Sequence, residues 1–247
     1  MRRTVHSIWS STIGSAGHVI AYGHYGPPVL AFASSEGRAT DWEERGMVGA
    51  VESLIDDGRL KLYCVDSFDS ASWYDRGLSL DARAMRHNAF EQWIIGEVMA
   101  FISEDCGGAG EAVATGASMG AYHAANVCLR RADLFPLAVC MSGIYDLSVL
   151  GGDGRSSEFY FHNPMDYIRH ANGDHLGWLR SRARLVLVCG QGQWEDTTGA
   201  LDSTKAFGRL LAEKGIRNEV DLWGWDVPHD WPSWRRQLAH HLPLVLA

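Results

Sequence analysis

Along nearly the whole chain, short apolar runs alternate with segments whose apolar residues recur at helical spacing, and this alternation constrains the fold more than any other feature. Val29–Ala33 follows Pro27-Pro28 and is apolar throughout, as a strand buried on both faces would be. Asp41–Asp56 carries Trp42, Met47, Val51, Leu54 and Ile55 at helical spacing, and Gly58 ends it. Leu60–Val65 reads as the next strand and Asp81–Glu104 as a long helix. The pattern then repeats: strand Glu111–Ala117, a helix from Met119 to about Arg131, strands Leu137–Met141 and Leu185–Cys189, a helix before Lys214, strand Glu219–Trp223 and a last helix over Pro232–Leu246. Thr4–Ser10 and His18–Tyr22 open the chain as two strands with no helix between them, which predicts an antiparallel start. The implied architecture is an α/β fold with a mostly parallel sheet of about eight strands and helices on both faces. Between Asp146 and Arg184 the pattern fails. Its Gly-Gly-Asp-Gly and Asn-Pro turns predict a loop-rich insertion over 146–184, near a site. No repeat, low-complexity tract or linker divides the chain, so residues 1–247 read as one domain.

Composition narrows the function classes. The formal net charge is −8 and no basic run exceeds two residues, so the concentrated basic face that nucleic acid needs is missing. The same charge disfavours anionic membranes. No apolar leader follows Met1-Arg2-Arg3, and no window approaches a membrane span. The expected location is cytoplasmic. Four of the five cysteines, Cys64, Cys128, Cys140 and Cys189, sit in or beside apolar segments, as buried free thiols of a reducing compartment would. Neither a CxxC pair nor a Cys/His ligand spacing appears, so no metal is expected, and nothing implies an organic cofactor.

The chemistry concentrates in Gly116-Ala117-Ser118-Met119-Gly120, a G-x-S-x-G sequence. Its setting gives it weight: it lies between an apolar strand and a helix, where a serine is held on a tight turn with Oγ above the sheet. The following helix aims its first amides at charge developing there. A serine hydroxyl needs a base, and in the order nucleophile, acid, histidine the base comes late. Of eleven histidines, His229 lies after the last strand and just before the last helix, where a loop can carry an imidazole over the sheet's edge. His240 and His241 fall inside that helix and read as solvated. His123 reads as packed in the helix after Ser118, and His162, His170 and His175 lie in the insertion, where they could line a pocket. The acid belongs after Leu185–Cys189, where Glu195 and Asp196 compete. Glu195 is favoured, because Asp196 precedes Thr197-Thr198 and can serve the start of the next helix. Asp202 is third. One oxyanion donor would be the amide of Met119, and the second is assigned to Ser35, with Ser34 as runner-up.

Several stretches together resemble the putative-esterase branch of the α/β-hydrolases, which includes S-formylglutathione hydrolase, enterochelin esterase and the antigen 85 mycolyltransferases. These are Tyr22-Gly23-His24-Tyr25-Gly26, Leu62–Ser67, the elbow with Ala121–Asn126, Ser142-Gly143-Ile144-Tyr145-Asp146, and His229-Asp230-Trp231 with Trp234-Arg235. The resemblance spans nearly the whole chain. It implies the α/β-hydrolase fold and the roles of Ser118 and His229 as nucleophile and base; it carries the acid over less cleanly, since Glu195 and Asp196 are adjacent. The expected activity is cleavage of an ester or thioester of a small acyl substrate through an acyl-enzyme. An acyltransferase with the same triad and a non-catalytic binding or regulatory protein on the same fold are the alternatives. Ten tryptophans are many for this length. Most read as loop packing; the sharper readings are an aromatic acyl pocket or a subunit interface in a homo-oligomer, with Trp194 and Trp231, which flank the acid and base, as pocket candidates.

Overall fold

The computed structural model describes residues 1–246. Strands β1 (Arg3–Ser10) and β2 (Ser15–Tyr22) form an antiparallel hairpin, and β2 runs antiparallel to β4 (Lys61–Val65). The remaining strands, β3 (Pro28–Phe32), β5 (Val113–Ala117), β6 (Leu137–Met141), β7 (Arg184–Cys189) and β8 (Arg217–Leu222), run parallel to β4. All eight join one sheet in the order β1-β2-β4-β3-β5-β6-β7-β8. The switch between β3 and its neighbours β4 and β5 opens the crevice at the strands' C-terminal ends, where ligands of such sheets bind.

Helices follow the strands. After β3 come α1 (Asp41–Glu44), α2 (Met47–Ala50) and α3 (Glu52–Asp56), then α4 (Leu80–Trp93) and α5 (Met99–Asp105) after β4, joined through a π-helical turn at Ile94–Val98. The helix α6 (Met119–Arg130) follows β5. Next are α7 (Ser157–His162), α8 (Pro164–His170) and α9 (Gly173–Arg182), then α10 (Ala200–Glu213) and α11 (Trp231–Val245). The helix read over Asp41–Asp56 is thus three short ones. Gly46 takes a left-handed conformation at φ 76°, and Val51 leaves helical geometry, so each breaks the hydrogen-bond ladder. The insertion 146–184 is not loop-rich; it holds α7, α8 and α9. Those helices are short and interrupted by Asn163-Pro164 and Asn172-Gly173, which hides their period in the sequence.

Continuous apolar strands make sense once both sheet faces are covered. Leu30, Phe32, Tyr63, Val65, Ala138, Cys140, Leu185 and Leu187 pack against α4, α5, α6, α8 and α10. Their alternates Val29, Ala31, Leu62, Cys64, Val139, Met141, Val186 and Val188 pack against α1–α3 and α11 through Trp42, Met47, Ile55, Trp234 and Leu238. Period two along each strand therefore feeds two cores, one on each side. No helix of the described residues is long and apolar enough to cross a membrane.

Candidate active site

The turn between β5 and α6 places Ser118 at φ 56° and ψ −120°, a left-side conformation that a non-glycine residue adopts only when its surroundings enforce it. The flanking glycines explain how. A Cβ on Gly116 would overlap the Gly120 carbonyl, and one on Gly120 would lie 2.5 Å from the Phe32 carbonyl oxygen and 2.6 Å from that of Ala33. Both positions must be glycine for the helix to close onto its strand and onto the end of β3. The Ser118 N–H donates to the Met141 carbonyl at 2.9 Å, which anchors the turn to β6.

The loops after β7 and β8 are joined to each other. A Cβ on Gly190 would overlap the Val227 carbonyl, Gly192 N–H donates to that same carbonyl at 2.9 Å, and His229 N–H donates to the Gln193 carbonyl at 3.0 Å. This contact brings Glu195 and His229 together. His229 Nδ1 lies 2.9 Å from Glu195 Oε2, and its Nε2 lies 3.2 Å from Ser118 Oγ. With Nδ1–H donating to the carboxylate, Nε2 presents its lone pair to the serine hydroxyl.

Glu195 is fully buried. Its Oε1 accepts from Ser142 Oγ at 2.5 Å and from Gly190 N–H at 3.3 Å, and its Oε2 accepts the Cys189 thiol at 3.4 Å beside His229. A buried carboxylate needs this many donors, because each lone pair left unpaired costs desolvation energy. Burial and then the neighbouring carboxylate push the Cys189 thiol well up, so it stays protonated and able to donate. Ser142 Oγ in turn accepts from Trp234 Nε1 at 3.1 Å, and the Trp234 ring meets the His229 ring edge to face at 4.9 Å. Helix α11 thereby supports both partners of the pair, its N-terminus capped by Asp230, which accepts from Ser233 N–H. Sequence reasoning assigned no role to Ser142 or Trp234. Ser142 sits in a φ 53° turn at the end of β6, a conformation no sequence signal disclosed.

The other candidates lie elsewhere. Asp196 is exposed and accepts only from Thr197 N–H through its side chain; it makes no contact with His229. Asp202 is exposed in the first turn of α10. Trp194 sits at φ 71° on the loop after β7 and is mostly exposed, whereas Trp231 packs on Trp234 at 5.1 Å rather than on His229. His123 is buried with its Nε2 2.9 Å from Asp69 Oδ1. His162 is buried beside Glu91, and His170 and His175 are exposed. His241 is not solvated: it is buried and 2.9 Å from Asp221 Oδ2 of β8, because α11 packs across one face of the sheet.

The β3–α1 loop reaches the elbow through Gly120. Ser35 Oγ shares a 3.0 Å hydrogen bond with Tyr74 Oη, and Glu36 N–H donates to Asp69 Oδ2 at 3.4 Å. Asp69 and Tyr74, from the segment after β4, thus hold the loop carrying Ser34 and Ser35. Burial pushes the Tyr74 phenol up, so it remains a neutral donor. Beside the elbow, Met119 packs with Trp73, Leu147, Phe159 and Leu150, and the insertion therefore walls one side of the site.

A family model described as Putative esterase matches residues 10–245. No curated protein sequence matches the chain. Among solved structures, the chain is similar to a ferulic acid esterase at 18% identity and a TM-score of 0.73, covering 99% of this chain and 97% of that one. It is similar to MPT51 of Mycobacterium tuberculosis at 15% identity and a TM-score of 0.73, covering 100% and 98%. It is similar to an S-formylglutathione hydrolase of Staphylococcus aureus at 14% identity and a TM-score of 0.68, covering 100% and 97%. At these identities the structures speak for the fold, and the family match speaks for the class: the chain belongs to the esterase family of the α/β-hydrolases.

Proposed function

We propose that this esterase cleaves its substrate through an acyl-enzyme on Ser118, with His229 as general base and Glu195 as the triad acid. The observation that carries the reading is the unbroken hydrogen-bonded path from Ser118 Oγ through both ring nitrogens of His229 to Glu195. His229 Nε2 takes the hydroxyl proton as Oγ forms a bond to the substrate carbonyl carbon. The resulting oxyanion is held by the amide of Met119 and, in this reading, that of Ser35. His229 then returns the proton to the leaving oxygen or sulfur as the carbon–leaving-group bond breaks. Water repeats the sequence, His229 taking its proton, and releases the acid with Ser118 restored. Glu195 stays ionised throughout, fixes the Nδ1–H tautomer and stabilises the imidazolium. A binding or regulatory protein on this fold would tolerate loss of one of the three groups; their mutual contact supports catalysis.

Turnover of a panel of p-nitrophenyl esters and acyl thioesters of varied chain length tests the reading. The wild-type protein should hydrolyse part of the panel, and Ser118→Ala and His229→Ala should each lower kcat by several orders of magnitude with the fold intact. Near-normal turnover by either variant would reject its assigned role.

A further inference from the structure

Outside the active site, the interior holds a polar cluster that esterase chemistry does not use. His87 and Glu91 stand one turn apart on the same face of α4, and His162 ends α7 opposite them. All three are buried, and a ligating atom from each lies within 4.8 Å of those of the other two. Neither nitrogen of His87 has a hydrogen-bond partner among the described residues. Native interiors rarely leave both ring nitrogens of an imidazole unpaired.

The surrounding groups are arranged as supports for ligands. His162 Nε2 lies 3.3 Å from Asn88 Oδ1; with its proton directed there, Nδ1 turns a lone pair toward Glu91 Oε2 at 3.5 Å. In that tautomer two acceptors face one another, and they repel unless something positive sits between them. Asn126 Nδ2 supplies part of the compensation, 2.8 Å from Glu91 Oε2 and 3.3 Å from His162 Nδ1. Arg130 Nε donates to the other oxygen, Oε1, at 2.6 Å, which orients the carboxylate and leaves Oε2 turned to the cluster. Metal-bound histidines and carboxylates are oriented by such outer partners. A tetrahedral ion with ligands at about 2.0–2.1 Å holds its donors roughly 3.4 Å apart, the spacing His162 and Glu91 already have.

We propose that His87, Glu91 and His162 form a structural site for a divalent transition-metal ion, with Zn²⁺ the best match to a two-imidazole, one-carboxylate set. This departs from the sequence reading, which looked for cysteine and histidine spacing. Two of the ligands sit in α4, separated by three residues, but the third comes from the insertion and is far away in sequence. The ion fastens α7 to α4, and so pins the insertion that walls the active site. The ligands are shielded from solvent, so the ion enters as the chain folds. Three protein ligands leave the fourth position of a tetrahedral ion to a water molecule, and because the set is buried away from the esterase site the ion serves stability rather than turnover.

The test is elemental analysis of the purified full chain, followed by unfolding in chelator and refolding with or without Zn²⁺. The expected result is a stoichiometric divalent ion, and a lower thermal midpoint for protein refolded without it. His87→Ala should lose the ion. Asn88→Ala removes only an outer partner of His162, and should fold and bind Zn²⁺ about 10–100-fold more weakly. Fluorophosphonate labelling of Ser118 in the same samples reports the esterase site independently, so failure of the metal reading leaves that site untouched. Protein that contains no metal and refolds to the same midpoint with and without Zn²⁺ would overturn the proposal, the cluster then being satisfied by water or a proton.

Discussion

Glu195 and Asp196 are neighbours in sequence with opposite surroundings, and their replacement separates electrostatics from exposure. Glu195→Gln keeps the shape but places an amide where Ser142, Gly190 and Cys189 all donate. It also favours the wrong tautomer of His229, and should lower kcat by roughly 10²–10⁴ with a smaller change in KM. Asp196→Asn touches only an exposed turn and should cost at most about 1 kcal/mol of stability with kcat near wild type. Steady-state kinetics on the pair side by side check this, and the reverse ranking would move the acid to Asp196. Ser142→Ala removes one donor to the carboxylate and the acceptor of the Trp234 indole. A lost hydrogen bond to a charged group is worth about 1.5–3 kcal/mol, so a fall in kcat of about tenfold or more is expected, with glutamine at 195 masking much of it in the double variant. At this scale residue type and place in the chain pointed to Ser118, His229 and Glu195, and the fold brings these three within hydrogen-bond reach of one another. The sequence was silent on Ser142 and Trp234, which matter through contacts that only the tertiary structure creates.

Elements bring these residues together by close backbone approach. Helix α6 rests against the end of β3 only because Gly120 has no side chain, and the loops after β7 and β8 meet only because Gly190 has none. Gly120→Ala must push α6 away from the Phe32 and Ala33 carbonyls, a rigid obstacle with no flexible end to yield. Overpacking of this kind costs about 1–3 kcal/mol. The denaturation midpoint should fall accordingly, and kcat should fall further than stability alone explains, because Met119 N–H moves with the helix. A Gly120→Ala enzyme with wild-type midpoint and kcat would show that the contact carries no strain. Strands β3, β4, β6 and β7 were readable because each is dominated by an apolar run, and the hairpin β1-β2 because no helix separates its strands; β8 is mostly polar, and only its residues 219–222 fall within the strand read over Glu219–Trp223. The α1–α3 region and the insertion were misread for one reason: their helices are shorter than two or three turns, so a period cannot establish itself before a glycine or an Asn-Pro step ends it.

For the whole molecule, the sheet separates function from stability by edge. The proposed catalytic groups, Ser118, Glu195 and His229, collect at the C-terminal ends of the parallel strands. At the opposite end, buried Lys61 on β4 pairs with Asp105 at the end of α5 at 2.6 Å, and Tyr63 Oη donates to the same carboxylate. Burial raises the Asp105 pKa, but the bonds from Lys61 and Tyr63 outweigh it and hold the carboxyl below its usual range. A group lowered by folding stabilises fully above its unfolded pKa and loses that contribution as pH falls through its folded value. Asp105→Asn should therefore cost about 1–2 kcal/mol near neutral pH, discounted for partial exposure, with the difference from wild type shrinking below about pH 4. Thermal midpoints of both proteins across pH check the trend, while ester turnover should stay near wild type. A stability gap that persists unchanged in acid would remove the ion pair as its cause.

The central claim is that Ser118 becomes covalently acylated. The most direct measurement is mass-spectrometric mapping of the protein after reaction with a fluorophosphonate probe. A single adduct on the peptide containing Ser118, absent from Ser118→Ala and strongly slowed in His229→Ala, is the predicted result. An adduct on another residue, or equal labelling of Ser118→Ala, would contradict it.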